Sequence, residues 1–289
     1  MDVFLAQSFA GLSIASILLL IALGLAIIYG TMGVINLAHG EFVMLGAYAT
    51  WFLQYYTGIG LIPSLLIVFL VVGFIGWIIE RGIVRHLYNR PLDTILATWG
   101  IGIILQQLVR MTAGPELRYV ELPKMLNGGV SVFGVHMSLY RLFIIFVTGL
   151  LIAGTWYVLM KTEFGTKLRA VTQNPEMSEC SGINSQRVYG ATFALGAGLA
   201  GVAGALVAPI KSVSPDMGTN FVVDAFMVVV VGGIGSLAGT AVSAALLGEV
   251  TAGFAYLLND TLAKAIVFIA VVILIRFRPQ GLFAQKFRK

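Results

Sequence analysis

The sequence predicts an all-α membrane protein of about eight or nine transmembrane helices, at least one of them broken or re-entrant. Three observations lead there. Of 289 residues, 58% are hydrophobic and only 11% charged, whereas soluble domains carry ~25% charged residues. The apolar residues gather into runs close to the ~20 residues that cross a hydrocarbon core. The basic residues cluster between those runs rather than inside them. A soluble core of this size could not absorb so much apolar surface, and lipid is its natural solvent.

In chain order the runs fall at 9–29, 42–57, 61–79, 94–111, 140–160, 188–210, 240–258 and 262–276. The stretch 221–231 is too short to cross alone and runs into Gly232-Gly233-Ile234-Gly235. It reads as a broken helix, tolerated only where protein or a water-filled path surrounds it. No Lys or Arg precedes Arg81, so the charged start of a cleaved signal peptide is missing and the first run is expected to remain as a helix. The whole chain, 1–289, reads as one transmembrane domain.

Sidedness follows from charge. Twelve of the eighteen Lys and Arg lie in three segments: Arg81, Arg85 and Arg90; Lys161, Lys167, Arg169 and Arg187; and Arg276, Arg278, Lys286, Arg288 and Lys289. Placing all three in the cytoplasm obeys the positive-inside rule. The N-terminus is then outside, residues 112–138 form the main external loop, 161–187 a cytoplasmic loop and 277–289 a cytoplasmic tail. This arithmetic requires 221–231 to end inside. The first run and the broken one both run inward to a Gly-rich break, at 30–40 and 232–239, and paired interrupted helices often line a transport path. Glycine is also common in ordinary membrane helices, so the pattern alone leaves both readings open.

Several function classes are excluded or disfavoured. The pI near 9.4 comes from dispersed basic residues with no continuous stripe, which speaks against nucleic acid. Cys180 is the only cysteine, so no intrachain disulfide or multi-thiolate metal site exists. His39 and Glu41 lack the second His of a zinc motif, and no metal or catalytic site is expected. Gly233-x-Gly235-x-x-Ala238 imitates a dinucleotide fingerprint without the strand–helix–strand unit it needs.

The polar segment 165–184 is the most informative. Pro175 suits the first position of a short helix and Asn174 its cap. Glu176 and Glu179 follow in its first turns, where negative charge is favoured. Such a helix on the membrane face is a handle for another protein, although an ordinary solvated connector has the same composition. The order Arg169-Ala170-Val171-x-Gln173-Asn174-Pro175-Glu176, then Gly182-Ile183-Asn184, resembles the coupling loop of the branched-chain amino acid and urea type ABC permeases. Met177 stands where that family's docking motif has a small residue.

Gly33-Val34-Ile35-Asn36-Leu37-Ala38-His39-Gly40-Glu41, Thr192-Phe193-Ala194-Leu195-Gly196 and Arg278-Pro279-Gln280-Gly281-Leu282-Phe283 are similar to the same family in the same order. The resemblance covers nearly the whole chain. Residues 90–100, 176–178 and 220–226 look most like its urea branch, with branched-chain amino acids or short amides as the alternative solutes. It implies a transport subunit rather than an enzyme, paired with a second homologous permease, two ATPase chains that bind ATP and Mg, and an external solute-binding protein. The chain contains no phosphate-binding loop, in agreement with ATP acting elsewhere. Arg169, Asn174, Pro175, Glu176 and Gly182 are the expected ATPase contacts.

Ionisable groups inside a membrane are costly and are functional candidates by default. Asn36, His39 and Glu41 flank the first break, Gln106 lies in the run 94–111, Asp224 in the broken segment and Glu249 in 240–258. They are candidates for the solute path; mutual pairing for packing is the other reading. No Lys or Arg sits in the middle of an apolar run, which leans towards a neutral solute. Ala197, Gly201 and Ala205 share one helix face and are expected to let helices approach closely. A self-sufficient channel or ion-coupled carrier is the rival from another class.

Overall fold

The structure, a computed structural model, describes residues 2–88, 90–132, 135–233, 235–278 and 280–283. Its α-helices are α1 Asp2–Met32, α2 His39–Thr57, α3 Leu61–Gly82, α4 Pro91–Ala113, α5 Leu139–Lys161, α6 Glu163–Gln173, α7 Pro175–Cys180, α8 Ser185–Val207, α9 Met217–Gly232, α10 Leu237–Leu257 and α11 Asp260–Phe277. A small antiparallel hairpin pairs β1 Gly129–Val132 with β2 Val135–Ser138. Six helices, α1, α3, α4, α5, α8 and α10, have the length and apolar content to cross a membrane. With α2, α9 and α11 they form the all-α bundle the sequence predicts. The basic tail residues Lys286, Arg288 and Lys289 lie outside the described residues.

The bundle has two ends. At the hairpin end, Arg118 bridges to Val213, the Gln54 side chain bonds the Glu121 backbone and Arg110 pairs with Asp216. At the other, basic end, Arg85 bonds Gln186 at 3.3 Å, and the Leu282 amide donates to the Val231 carbonyl at 2.8 Å. All three basic segments of the sequence therefore share one end, as far as they are described. The C-terminus of α9 meets the chain's final described residues there, so the broken segment does run towards the basic end.

Two differences from the sequence boundaries have simple causes. The run 188–210 becomes a helix over 185–207, because the Asn184 side chain accepts the Arg187 amide at 2.9 Å and starts it early. The polar segment between two membrane helices contains a second helix, α6, as well as α7. Leu168 and Val171 turn inward from α6, and Gly165 lies so close to α5 that a Cβ would meet the Leu159 carbonyl oxygen at 1.9 Å.

The hub is α8, buried from Gly196 through Val207. Its small residues are the reason. A Cβ on Gly24 of α1 would lie 2.5 Å from the Gly196 oxygen, one on Gly46 of α2 1.9 Å from the Gly201 oxygen, and one on Gly76 of α3 2.4 Å from the Ala197 Cβ. Three helices thus touch α8 almost backbone to backbone, the close approach that replaces the hydrophobic drive in lipid. Outward faces are the reverse. Leu66, Trp99 and Phe146 are more than half exposed, as suits lipid or a partner and not water.

Candidate functional site

The first break is a re-entrant path through the protein. α1 ends at Met32, and Gly33 takes φ +66, which frees the chain to reverse. Residues 33–38 then climb back into the bundle. Ala38 reaches Gly102, halfway along α4, and the His39 ring lies against Gly24, itself opposite the middle of α8. Helix α2 therefore starts at mid-depth. Non-helical backbone at that depth must be satisfied by protein: the Leu37 amide donates to Thr98 Oγ1 at 3.1 Å and the Ala38 amide to Asn36 Oδ1 at 3.1 Å.

Helix α9 starts in the same place. A Cβ on Gly40 would meet the Gly218 oxygen at 2.0 Å, and one on Gly218 would meet Glu41 Oε2 at 2.5 Å. Two helix N-termini thus converge inside the bundle, each carrying the partial positive charge of a helix start, although the His39, Glu41 and Met217 amides already have backbone partners. At about 24 Å, α9 is shorter than the ~30 Å hydrocarbon core, which is what lets it begin below the surface.

Polar side chains collect there. Gln106 Nε2 donates to Glu41 Oε1 at 2.8 Å and lies 3.1 Å from Thr219 Oγ1. Thr219 is exposed and Glu41 buried, so the cluster opens between α4 and α9. His39 is fully buried, with Nε2 3.0 Å from the Ile21 carbonyl oxygen. A carbonyl only accepts, so Nε2 carries the proton and Nδ1 is left as an acceptor. Asn36 Nδ2, His39 Nδ1 and Glu41 Oε2 are buried without a protein partner. Arg110 and Asp216 pair one step nearer the hairpin end.

The structure thus joins Glu41 and Gln106 directly, keeps Asn36 and His39 in the same turn into α2 with the His39 ring facing α1, and leaves Asp224 and Glu249 apart. Asp224 lies midway along α9, bound to Lys264 Nζ at 2.7 Å. Glu249 on α10 lies half-buried against Gly11 of α1. Thr98, Thr219, Arg110 and Asp216 were not singled out from sequence. Threonines in apolar runs are common, and Arg110 and Asp216 are 106 residues apart.

The α6–α7 segment forms a second, separate feature at the basic end. Asn174 Oδ1 accepts the Met177 amide at 3.0 Å, with Pro175 leading the helix, as expected from the sequence. Glu176 and Met177 are exposed. Ser178 is buried and bonds back to the Asn174 carbonyl at 2.8 Å. Gly182, at φ +83, turns the chain into α8. Arg169 bonds the Leu159 carbonyl and Thr166, so it ties α6 to the end of α5. Close by, the fully buried Glu80 carboxylate is held by Arg85 at 3.1 Å and by the Tyr88 hydroxyl. Burial, then that bond to Glu80, pushes the Tyr88 hydroxyl well above its ordinary titration range.

Comparison with known proteins agrees with this architecture. The family model described as branched-chain amino acid transport system / permease component matches residues 8–276. The high-affinity branched-chain amino acid transport system permease proteins LivH of Salmonella typhimurium and BraD of Pseudomonas aeruginosa are each 31% identical to the chain, over 98% of it and 96% of their own length. The permease protein LivM of Escherichia coli is 26% identical over 93% of the chain and 68% of its own length. No solved structure matches. These relatives fit the alternative solute class, branched-chain amino acids, better than urea. A multi-pass helical bundle matched along almost its whole length leaves one conclusion: the chain belongs to the family of branched-chain amino acid transport system permease components.

Proposed function

We propose that this chain is one permease half of an ATP-driven importer that carries branched-chain amino acids inward across a bacterial plasma membrane. The observation that carries the reading is the convergence of the α2 and α9 N-termini beside Glu41 inside the bundle. An amino acid bears both charges. Helix N-termini favour its carboxylate, and the Glu41 carboxylate favours its ammonium group. This removes the sequence argument for a neutral solute: no intramembrane Lys or Arg is needed when backbone amides supply the positive end.

The basic end faces the cytoplasm in this reading, with the N-terminus outside. The α6–α7 segment docks the ATPase through Asn174, Pro175, Glu176 and the turn at Gly182. It is a stiff handle, because Gly165, Leu168 and Val171 seat α6 on the bundle and Arg169 locks it to α5. A push on Glu176 is therefore passed directly to α5 and α8. The two ATPase chains supply ATP hydrolysis, a second permease resembling LivM completes the membrane pair, and an external binding protein delivers the solute.

The test is uptake of labelled leucine and labelled urea into proteoliposomes holding the complete transporter. Wild-type protein should take up leucine with ATP and binding protein present, and urea hardly at all. Glu176→Ala should uncouple uptake while leaving solute binding intact. Glu41→Gln should lower leucine uptake with the ATPase still stimulated. Uptake by this chain alone without ATP would sink the importer reading, and urea uptake in place of leucine would sink the solute assignment.

A further inference from the structure

At the basic end, α3 and α8 leave a cavity of about 350 Å³ between them, apart from the path beside Glu41. Arg81, Arg85 and Arg187 line it with Trp77, Asn184 and Gln186, and no acidic side chain does among the described residues. The three guanidinium groups are not equivalent. Arg85 is already engaged by Glu80 at 3.1 Å and by Gln186 at 3.3 Å. Arg81 lies over the Trp77 ring, 5.1 Å from its centroid. Neither Arg81 nor Arg187 forms an ion pair among the described residues. The cavity is therefore lined by two uncompensated positive charges, Arg81 and Arg187, among the described residues.

Its position says where that anion comes from. The outward face of α3 exposes Leu66, Leu70, Phe74 and Ile78, a stripe of one residue per turn. The stripe ends in Trp77 and Arg81 at the last turn of the helix. Apolar residues, then a tryptophan, then an arginine is the order met on passing from hydrocarbon to headgroups. A free phosphate would use the arginines and have no use for the stripe. A phospholipid uses both.

We propose that this cavity binds the phosphodiester headgroup of an anionic phospholipid. Arg81 and Arg187 hold the phosphate, Trp77 covers the glycerol, and the acyl chains lie along the α3 stripe. Guanidinium groups bind phosphate oxygens in paired, charge-assisted bonds, and basic pockets between helices on the cytoplasmic side are suited to such headgroups. The placement rests on the membrane orientation given under the proposed function. It does not rest on which solute is carried. Asn184, which caps α8 through the Arg187 amide at 2.9 Å, lies on the wall. The bound lipid thus clamps the joint between α7 and α8.

The full chain, delipidated in a neutral detergent, is titrated with phosphatidylglycerol, phosphatidylcholine or inorganic phosphate. Bound lipid is counted by native mass spectrometry and thermal unfolding is followed in parallel. Wild-type protein should retain phosphatidylglycerol and gain thermal stability from it, and from neither of the others. Arg81→Gln with Arg187→Gln should weaken that binding about ten- to hundredfold, the loss expected for two charge-assisted contacts. Ala191→Trp fills the cavity without altering any charge and should do the same, which guards against a double variant that fails to fold. Lys161→Gln removes a cation that also lies over a tryptophan, Trp156, but outside the cavity, and should bind as wild type. Equal stabilisation by inorganic phosphate would make this a free-anion site. Undiminished lipid binding in the arginine double variant or in Ala191→Trp, or an equal loss in Lys161→Gln, would overturn the proposal.

Discussion

Replacing Gly46 by alanine adds a single carbon where α2 crosses α8, and the structure gives the cost. The new Cβ would lie 1.9 Å from the Gly201 carbonyl oxygen and 2.6 Å from that residue's carbonyl carbon and Cα. All three are backbone atoms, so no side chain can swing aside. Restoring ordinary contact requires the helices to part by roughly 1.5 Å, and a gap of even ~0.5–1 Å forfeits a quarter to a half of each contact's attraction. On the order of twenty atom pairs at ~0.1–0.2 kcal/mol each amount to ~2–4 kcal/mol, and the wider ~1.5 Å gap forfeits more than half of it, about 1–3 kcal/mol, in the range seen when cores are overfilled. Alanine's better helix propensity returns at most ~1 kcal/mol. The net expectation is a destabilisation of about 1–2 kcal/mol. Gly149→Ala on α5, where a Cβ meets nothing within 4 Å, serves as the matched control and should be neutral or slightly stabilising. Titrating the purified chain with sodium dodecyl sulfate and following helicity measures both. If the two variants unfold together, backbone contact at α8 does not hold this bundle.

Arg85→Ala leaves the fully buried Glu80 carboxylate with only the Tyr88 hydroxyl, and should cost ~3–5 kcal/mol in the same titration. Adding Glu80→Gln should recover part of it; a double variant less stable than the single one would show that the pair is not what holds this corner. Asn174→Ala removes the acceptor of the Met177 amide and should loosen α7 by ~1 kcal/mol. Hydrogen exchange at Met177 and Ser178 should then quicken about fivefold with global stability unchanged, and unchanged exchange there would mean the cap does not organise the docking helix.

Composition and run length were enough to establish a multi-spanning helical protein, because lipid admits few other solutions: a backbone that cannot reach water must satisfy itself within each helix. The small-residue face at Ala197, Gly201 and Ala205 was readable for a similar reason, since residues four apart on a helix share a face whatever lies opposite. The cap at Asn174 and the helix starting at Pro175 are local events, and local rules found them. The urea assignment drawn from short stretches finds no support in comparison over the whole chain, where branched-chain amino acid permeases match over 98% of it.

Residue types and their spacing were therefore enough for the solvent, the approximate spans and the polar groups that membranes make expensive. Which of those groups meet depended on packing. Glu41 meets Gln106 and Thr219 because Gly33 turns the chain back into the bundle and α9 is too short to start at the surface. Asp224, an equally conspicuous acid, finds Lys264 forty residues away and leaves the group. Periodicity reports which face of a helix a residue occupies, but the depth at which a helix begins depends on what it packs against, and that is a property of the assembled bundle.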